Sequence, residues 1–206
     1  MVETENLLNA RAIDKALKRL NSRMVYGEVA PVEIVVCGGA ALIVNKLVSR
    51  STRDVDIVAL AHSRGANVEL SREKLLPEEI RRLVAEIGIE LGIREDWLNF
   101  GPSRLLKFGL PAGLTTRLKK KSYGPCLTVH FISRLDQVHF KIFAAMDPKQ
   151  GTRHLSDLLD LEPTKLEVNA AVSWLLGRAV GASPQFKATL RQVLDRIGHE
   201  RIAGQI

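Results

Sequence analysis

Two aspartates stand two positions apart in the segment Asp54-Val55-Asp56-Ile57, whose alternation is typical of a β-strand. Because side chains alternate across a strand, the two carboxylates share one face and lie roughly 6–7 Å apart. At that distance two ionised carboxylates repel each other, and a divalent cation between them removes the repulsion. Ligation by carboxylate oxygens suits Mg²⁺ or Mn²⁺, which keep their other positions for water and substrate phosphates. The pair therefore predicts a magnesium or manganese site at Asp54 and Asp56.

A di-glycine, Gly38-Gly39, follows the β-branched run at 32–37 and precedes the aspartate pair. Glycines let the backbone approach a ligand closely, and the start of a following helix offers N–H groups and a positive dipole end to a phosphate. Gly-Gly alone is also typical of a tight turn, and Asp-x-Asp alone of an exposed strand. The order of strand, di-glycine, helix and Asp-x-Asp strand is more specific, and it predicts a cradle for a metal-bound triphosphate.

The segment 37–57 resembles the signature of the nucleotidyltransferase fold superfamily, the DNA-polymerase-beta-like group. Cys37-Gly38-Gly39 matches its hydrophobic residue and di-glycine, and Asp54-Val55-Asp56-Ile57 matches its Asp-hydrophobic-Asp-hydrophobic element. The spacer at 40–53 is long for the superfamily at large. It is closer to the branch that holds the abortive-infection type IV toxin nucleotidyltransferases and their relatives.

Later segments are similar to that branch as well. They are the tripeptide Trp97-Leu98-Asn99, a helix that carries Lys141, and the pattern Arg153-x-x-x-Asp157-Leu158. The resemblance thus covers about residues 30–162, with its most specific part at the di-glycine and the aspartate pair.

The resemblance implies a reaction in which a nucleoside monophosphate moves from a nucleoside triphosphate to a hydroxyl, with release of pyrophosphate. Asp54 and Asp56 would hold one or two Mg²⁺ ions, and the hydroxyl would belong to an RNA such as tRNA, or to a protein. Because the branch includes toxins of toxin–antitoxin pairs, a cognate antitoxin is a candidate partner. The residues implied to bind the nucleotide are Gly38, Gly39, Arg53 and Lys141.

The superfamily often adds a third carboxylate on a later strand, and this chain departs from that pattern. The strand predicted at 127–133 carries no acidic residue. His130 would replace the acid as a base near neutral pH, or it is a half-buried strand histidine. Asp136 and Asp157 are other sources of a third carboxylate. The catalytic candidates are therefore Asp54, Asp56, Lys141, Asp157 and His130. If no third group acts, the alternative is a catalytically idle nucleotide- or RNA-binding module on the same fold.

The 206-residue chain has 30 Lys and Arg against 23 Asp and Glu, a formal charge of +7 that favours polyanionic partners. A basic run at 117–121 would contact an RNA end, or it is a solvated charged loop. Its candidate nucleic-acid contacts are Arg117, Lys119, Lys120 and Lys121. Two cysteines far apart, an N-terminus without an apolar signal core and the absence of long apolar runs predict a cytoplasmic protein with no membrane partner.

Hydrophobic periodicity predicts the elements that must position these residues. Strands are predicted at 32–37, 54–60 and 127–133, and helices at 5–23, 40–48, 76–91, 135–146, 153–161, 164–179 and 184–199. The polar stretch at 62–72 predicts a loop, and 97–116 fits no regular element. The fold class is α/β (α+β), with a small mixed sheet and flanking helices in a core at 1–133. A C-terminal helical region at 134–206 is expected to pack on that core.

Overall fold

The computed structural model describes residues 7–65, 67–71, 73, 75–149 and 151–206. Residues 5 and 6 of the first predicted helix, and residues 66 and 72 of the predicted loop, lie outside the described residues. The chain divides into two compact units, Met1–Ser133 and Arg134–Ile206, called here the N-terminal and C-terminal units. Strands and helices mix in the first unit and helices fill the second, which confirms the predicted α/β class with a mixed sheet.

The N-terminal unit is built on a mixed sheet. Its described strands are β1 (Val32–Cys37), β2 (Val55–Arg64), β3 (Asn67–Leu70), β4 (Leu98–Asn99), β5 (Lys119–Ser122) and β6 (Leu127–Phe131). They follow the order β3-β2-β1-β6-β5, and β4 pairs with the first residues of β2. β1 runs antiparallel to β2 and parallel to β6, so the carboxyl end of β1 meets the start of β2.

Helices flank this sheet. Those of the N-terminal unit are α1 (Ala10–Tyr26), α2 (Gly38–Val44), α3 (Glu78–Leu91) and α4 (Arg104–Phe108). The helix α1 begins where the Asn9 side chain accepts a hydrogen bond from the backbone N–H of Ala12, and it buries an apolar stripe that includes Ile13 and Leu17. Its amphipathic spacing explains why the sequence predicts this helix well.

The loop predicted at 62–72 is wrong in its first part. Strand β2 continues to Arg64, and β3 returns antiparallel from Asn67 to Leu70. Gly65 has a positive φ of 62° at the turn between them, which suits glycine. The polar composition of this stretch predicted a loop because β3 lies at the sheet edge. Its side chains alternate there between exposed and half-buried positions.

The basic run also contains a strand. Residues Lys119–Ser122 form β5, the exposed edge strand that pairs antiparallel with β6. Lysines on an edge strand discourage its pairing with a strand of another chain. The unassigned stretch at 97–116 contains β4, α4 and two short 3-10 turns, Gly101–Ser103 and Leu114–Arg117.

The C-terminal unit is helical in the part that the structure describes. Its helices are α5 (Arg134–Ala145), α6 (Gly151–Leu161), α7 (Lys165–Leu176), α8 (Pro184–Arg196) and α9 (Glu200–Ala203). α7 begins with a capping box, in which Thr164 and Glu167 bond each other's backbone N–H groups. Across the described ranges, no helix has the length and apolarity needed to cross a membrane.

Candidate metal and nucleotide site

The pairing of β1 with β2 brings the di-glycine against the aspartate pair. Cys37, the last residue of β1, lies opposite Asp56 in the antiparallel register. Gly38 comes next with φ +67°, and a Cβ placed on it would overlap the Oδ2 atom of Asp56. Both the backbone conformation and the close approach therefore require glycine at position 38. Two motif residues eighteen positions apart in the sequence thus meet in space.

The second glycine is packed against the residues that lead into the aspartate pair. A Cβ on Gly39 would lie 2.7 Å from the Thr52 hydroxyl oxygen and 3.1 Å from a guanidinium nitrogen of Arg50. Thr52 is buried, and its hydroxyl donates to Oδ1 of Asp54 over 3.3 Å. These contacts fix the approach to Asp54 and bring a positive charge to the first turn of α2. The sequence prediction did not assign Thr52 or Arg50 to the site.

A third wall of the site comes from β4 and the turn after it. Asn99 pairs with Asp56 in the parallel register of β2 and β4, so both side chains project from the same face. The Asn99 Oδ1 atom accepts a hydrogen bond from the backbone N–H of Gly101 at 2.7 Å. A Cβ on Gly101 would lie 3.0 Å from this oxygen and 3.1 Å from Oδ1 of Asp56. The Asp56 carboxylate is therefore flanked by Gly38 on one oxygen and by Gly101 on the other.

The donor set fits a magnesium ion that also binds phosphate. Asp54 and Asp56 are both partly exposed, and Arg53 is exposed at the bend before them. Among the described residues, no group of three or more His, Cys, Asp and Glu side chains could hold a metal ion. Mg²⁺ is commonly bound by one or two carboxylates, with water and substrate phosphates in its remaining positions. The glycines beside the pair let Asp56, Thr52 and Arg50 come close to the backbone of the turn.

His130 lies elsewhere on the sheet. It is buried on β6, and its Nε2 atom lies 2.6 Å from Oε2 of Glu33. The Ser63 hydroxyl donates to the same Glu33 oxygen over 2.6 Å. Burial tends to raise the pKa of Glu33, but the hydrogen bonds from Ser63 and His130 outweigh it and lower that pKa. Strand β1 separates β6 from β2, and two strand spacings amount to about 10 Å.

Lys141 and Asp157 form a buried ion pair inside the C-terminal unit. The Lys141 ammonium lies 2.6 Å from Oδ2 of Asp157, and the two side chains are 6% and 1% exposed. His154 joins them, with its Nδ1 atom 3.3 Å from the same ammonium. Burial and then the Lys141 charge lower the pKa of His154 to about 4. Asp136, on α5, is also fully buried.

His154 makes the stability of the C-terminal unit depend on pH. The unfolded chain binds a proton at this ring below about pH 6.5, whereas the folded chain does so only near pH 4. Stability is therefore lost as the pH falls through that window. Between pH 6.5 and 4.5 we expect the free energy of unfolding to fall by about 1 kcal/mol, allowing for the ring's partial exposure.

Trp174 fluorescence in a Trp97→Phe background reports unfolding of this unit, because Trp174 packs on His139 and Phe143. His154→Gln should remove the pH slope between 6.5 and 4.5. The matched control, His62→Gln, replaces an exposed histidine and should keep it. An unchanged slope in His154→Gln would contradict the assignment.

The predicted nucleic-acid contacts do not share one face. Arg117 donates to the backbone oxygen of Ala112. Along β5, Lys120 lies opposite His130 and its ammonium is 3.5 Å from the Ser63 hydroxyl. Lys119 and Lys121 alternate to the other face, where Lys121 reaches α1.

Gly38→Ala should damage the site by two routes. The left-handed backbone at this position costs a non-glycine residue about 1–2 kcal/mol, and the new methyl displaces the Asp56 carboxylate. We expect Mg-NTP affinity, measured by calorimetry, to fall at least about tenfold. Gly198→Ala is the control, because Gly198 has φ +78° with no described atom near its Cβ position. Equal nucleotide affinity in both variants would argue against the cradle.

We found no match to this chain among protein-family models, among curated proteins or among solved structures.

Proposed function

We propose that the protein is a Mg²⁺-dependent nucleotidyltransferase. It would move a nucleoside monophosphate from a nucleoside triphosphate to a hydroxyl of an RNA, such as tRNA, or of a protein, and release pyrophosphate. The observation that carries the proposal is the contact of the Asp56 carboxylate with Gly38, which joins the two halves of the motif. A carboxylate pair beside a glycine turn is an arrangement that suits a metal-bound triphosphate.

Each residue of the site has a role in this proposal. Asp54 and Asp56 would hold Mg²⁺ (or Mn²⁺), which would supply positive charge to the triphosphate. The backbone of Gly38-Gly39 approaches the phosphates, and Arg50 adds positive charge beside it. Arg53, exposed next to Asp54 in the sequence, is a further cation for the nucleotide. Thr52 keeps Asp54 in place through its hydroxyl.

Lys141 and Asp157 enter the proposal through the resemblance alone. The resemblance assigns both to the reaction, with Lys141 on a phosphate. Within the C-terminal unit they neutralise each other at 2.6 Å. The proposal therefore rests on the residues of the N-terminal unit.

The test is transfer of label. Purified protein is incubated with each α-labelled NTP, with Mg²⁺ or Mn²⁺, and with total tRNA. Label that appears on RNA or on the protein and is lost in Asp54→Asn supports the proposal and names the acceptor. Absence of label with every NTP would contradict transfer under these conditions, whatever the nucleotide affinity.

The second candidate is an idle nucleotide- or RNA-binding module. It is favoured by the neutral Asn99 opposite Asp56, and by the lack of a three-ligand acidic group among the described residues. Metal-dependent nucleotide binding without any transferred label would support this candidate. The toxin role implied by the resemblance has its own test, which is growth arrest on expression that Asp54→Asn abolishes.

A further inference from the structure

A groove of about 860 Å³ runs along the exposed side of α1 in the N-terminal unit. Most of the charged side chains on its lining are basic, namely Arg11, Lys15, Lys18, Arg19 and Lys121. Asp14 and Glu90 are the acidic side chains on the described lining. The groove therefore carries an excess of positive charge.

The two carboxylates are already shared among cations. Asp14 accepts from Lys121 at 2.5 Å and lies 3.4 Å from Lys18. Glu90 lies 2.7 Å from Arg19 and 2.8 Å from Arg23. Because both acids already form ion pairs, they do not neutralise the remaining positive charge of the groove.

Arg11 and Lys15 carry that excess. In the described ranges, neither makes an ion pair or a side-chain hydrogen bond. They are four residues apart on α1, and Lys18 follows three residues later, so the three lie in a row on one face of the helix. A row of cations matches a linear polyanion better than a compact one.

The end of the groove at Ala10 lies near the segment that precedes the aspartate pair. Leu8 and Thr52 exchange backbone hydrogen bonds of 2.7 and 2.9 Å, so the chain that enters α1 lies two residues from Asp54. From Ala10 to Ser22 the helix extends the groove by about 18 Å. A strand bound along the groove would have one end near the segment that precedes Asp54.

We propose that this groove binds the phosphodiester backbone of a nucleic-acid strand. Arg11 and Lys15 contact its phosphates, and Lys18 and Lys121 extend the positive surface. The groove lining lacks the exposed apolar side chains at the two ends of α1, which are Leu7, Val25 and Tyr26. A membrane would need such side chains on the bound face, so it is disfavoured as the occupant. The inference goes beyond the proposed function, because it holds whether or not the aspartate pair transfers a nucleotide.

The test is fluorescence anisotropy with labelled single-stranded RNA and DNA of the same sequence, between 50 and 200 mM KCl (roughly the range over which phosphate contacts are salt-sensitive). Arg11→Gln with Lys15→Gln should weaken binding at least about tenfold in low salt. It should also reduce the slope of log K against log salt by about 1.4, or 0.7 for each lost contact. The control pair, Lys165→Gln with Arg191→Gln, changes exposed residues of the C-terminal unit and should bind like wild type.

Equal binding of RNA and DNA would assign recognition to the backbone alone, and preference for RNA would add a 2′-hydroxyl contact. Both outcomes support the groove. An unchanged affinity and salt slope in the Arg11 and Lys15 variant would overturn it. The variant with Asp54→Asn and Asp56→Asn should still bind the strand. If that variant loses the strand while the groove variant keeps it, the strand binds at the carboxylates instead.

Discussion

Replacing Asp54 and Asp56 together by asparagine is expected to abolish Mg-NTP binding while leaving the fold intact. Asparagine keeps an oxygen that can accept from the Thr52 hydroxyl, but it removes both negative charges. Changes next to a metal ligand commonly cost 10- to 100-fold in metal affinity, so loss of both ligands should raise Kd by at least about 100-fold. The free energy of unfolding should change by less than about 1 kcal/mol, since both carboxylates are partly exposed and interactions of exposed charges contribute little to stability.

The binding is measured by calorimetry with each Mg-NTP, and stability by urea unfolding. The control is Asp160→Asn with Asp195→Asn, two exposed aspartates on helices of the C-terminal unit. This control should bind nucleotide like wild type. Wild-type affinity in the Asp54 and Asp56 variant would show that the nucleotide is held elsewhere.

Breaking the Lys141–Asp157 pair should strongly destabilise the C-terminal unit. The pair is almost fully buried, so Lys141→Met or Asp157→Leu leaves one buried charge without the opposite charge that faces it. Such single changes typically cost about 3–5 kcal/mol. The double variant removes both charges, and its free energy of unfolding should return to within about 2 kcal/mol of wild type.

The chain's two tryptophans allow each unit to be followed separately, since Trp97 lies in one and Trp174 in the other. In a Trp97→Phe background, urea unfolding detected at Trp174 reports the C-terminal unit. The reciprocal Trp174→Phe background should show little effect of the same substitutions. Two single variants that each cost under about 1 kcal/mol would contradict the buried pair.

The double variant also separates stability from function. If it folds and still binds Mg-NTP like wild type, the pair is structural. If it folds and binds nucleotide at least about tenfold more weakly, the role that the resemblance assigns to Lys141 and Asp157 is supported.

Local patterns predict much of this fold because they depend on residues close in sequence. The β-branched run of β1 and the 3.6-residue periodicity of α1 and α3 each appear within a single short window. The hairpin of β2 and β3 was not predicted, because alternate side chains of the edge strand β3 face solvent. Its polar composition therefore resembles that of a loop. Strand β5 was not predicted for the same reason, because its lysines are all exposed.

The site was only partly predictable. The di-glycine and the aspartate pair can be recognised in the sequence from their residue types and their order. Asn99 and Gly101 join them only through β4, a two-residue strand whose pairing with β2 has no local signal. His130 was a candidate from its strand alone, but the partner of its ring is Glu33, which comes from a strand far away in the sequence.

The central claim is that Asp54 and Asp56 together hold the metal of a bound nucleotide. The most direct measurement is a crystal structure with Mn²⁺ and a non-hydrolysable NTP analogue, with anomalous scattering recorded at the manganese edge. We predict an anomalous peak about 2–2.5 Å from carboxylate oxygens of both Asp54 and Asp56, with analogue phosphate beside Gly38 and Gly39. A bound analogue whose manganese lies away from both aspartates would contradict the account.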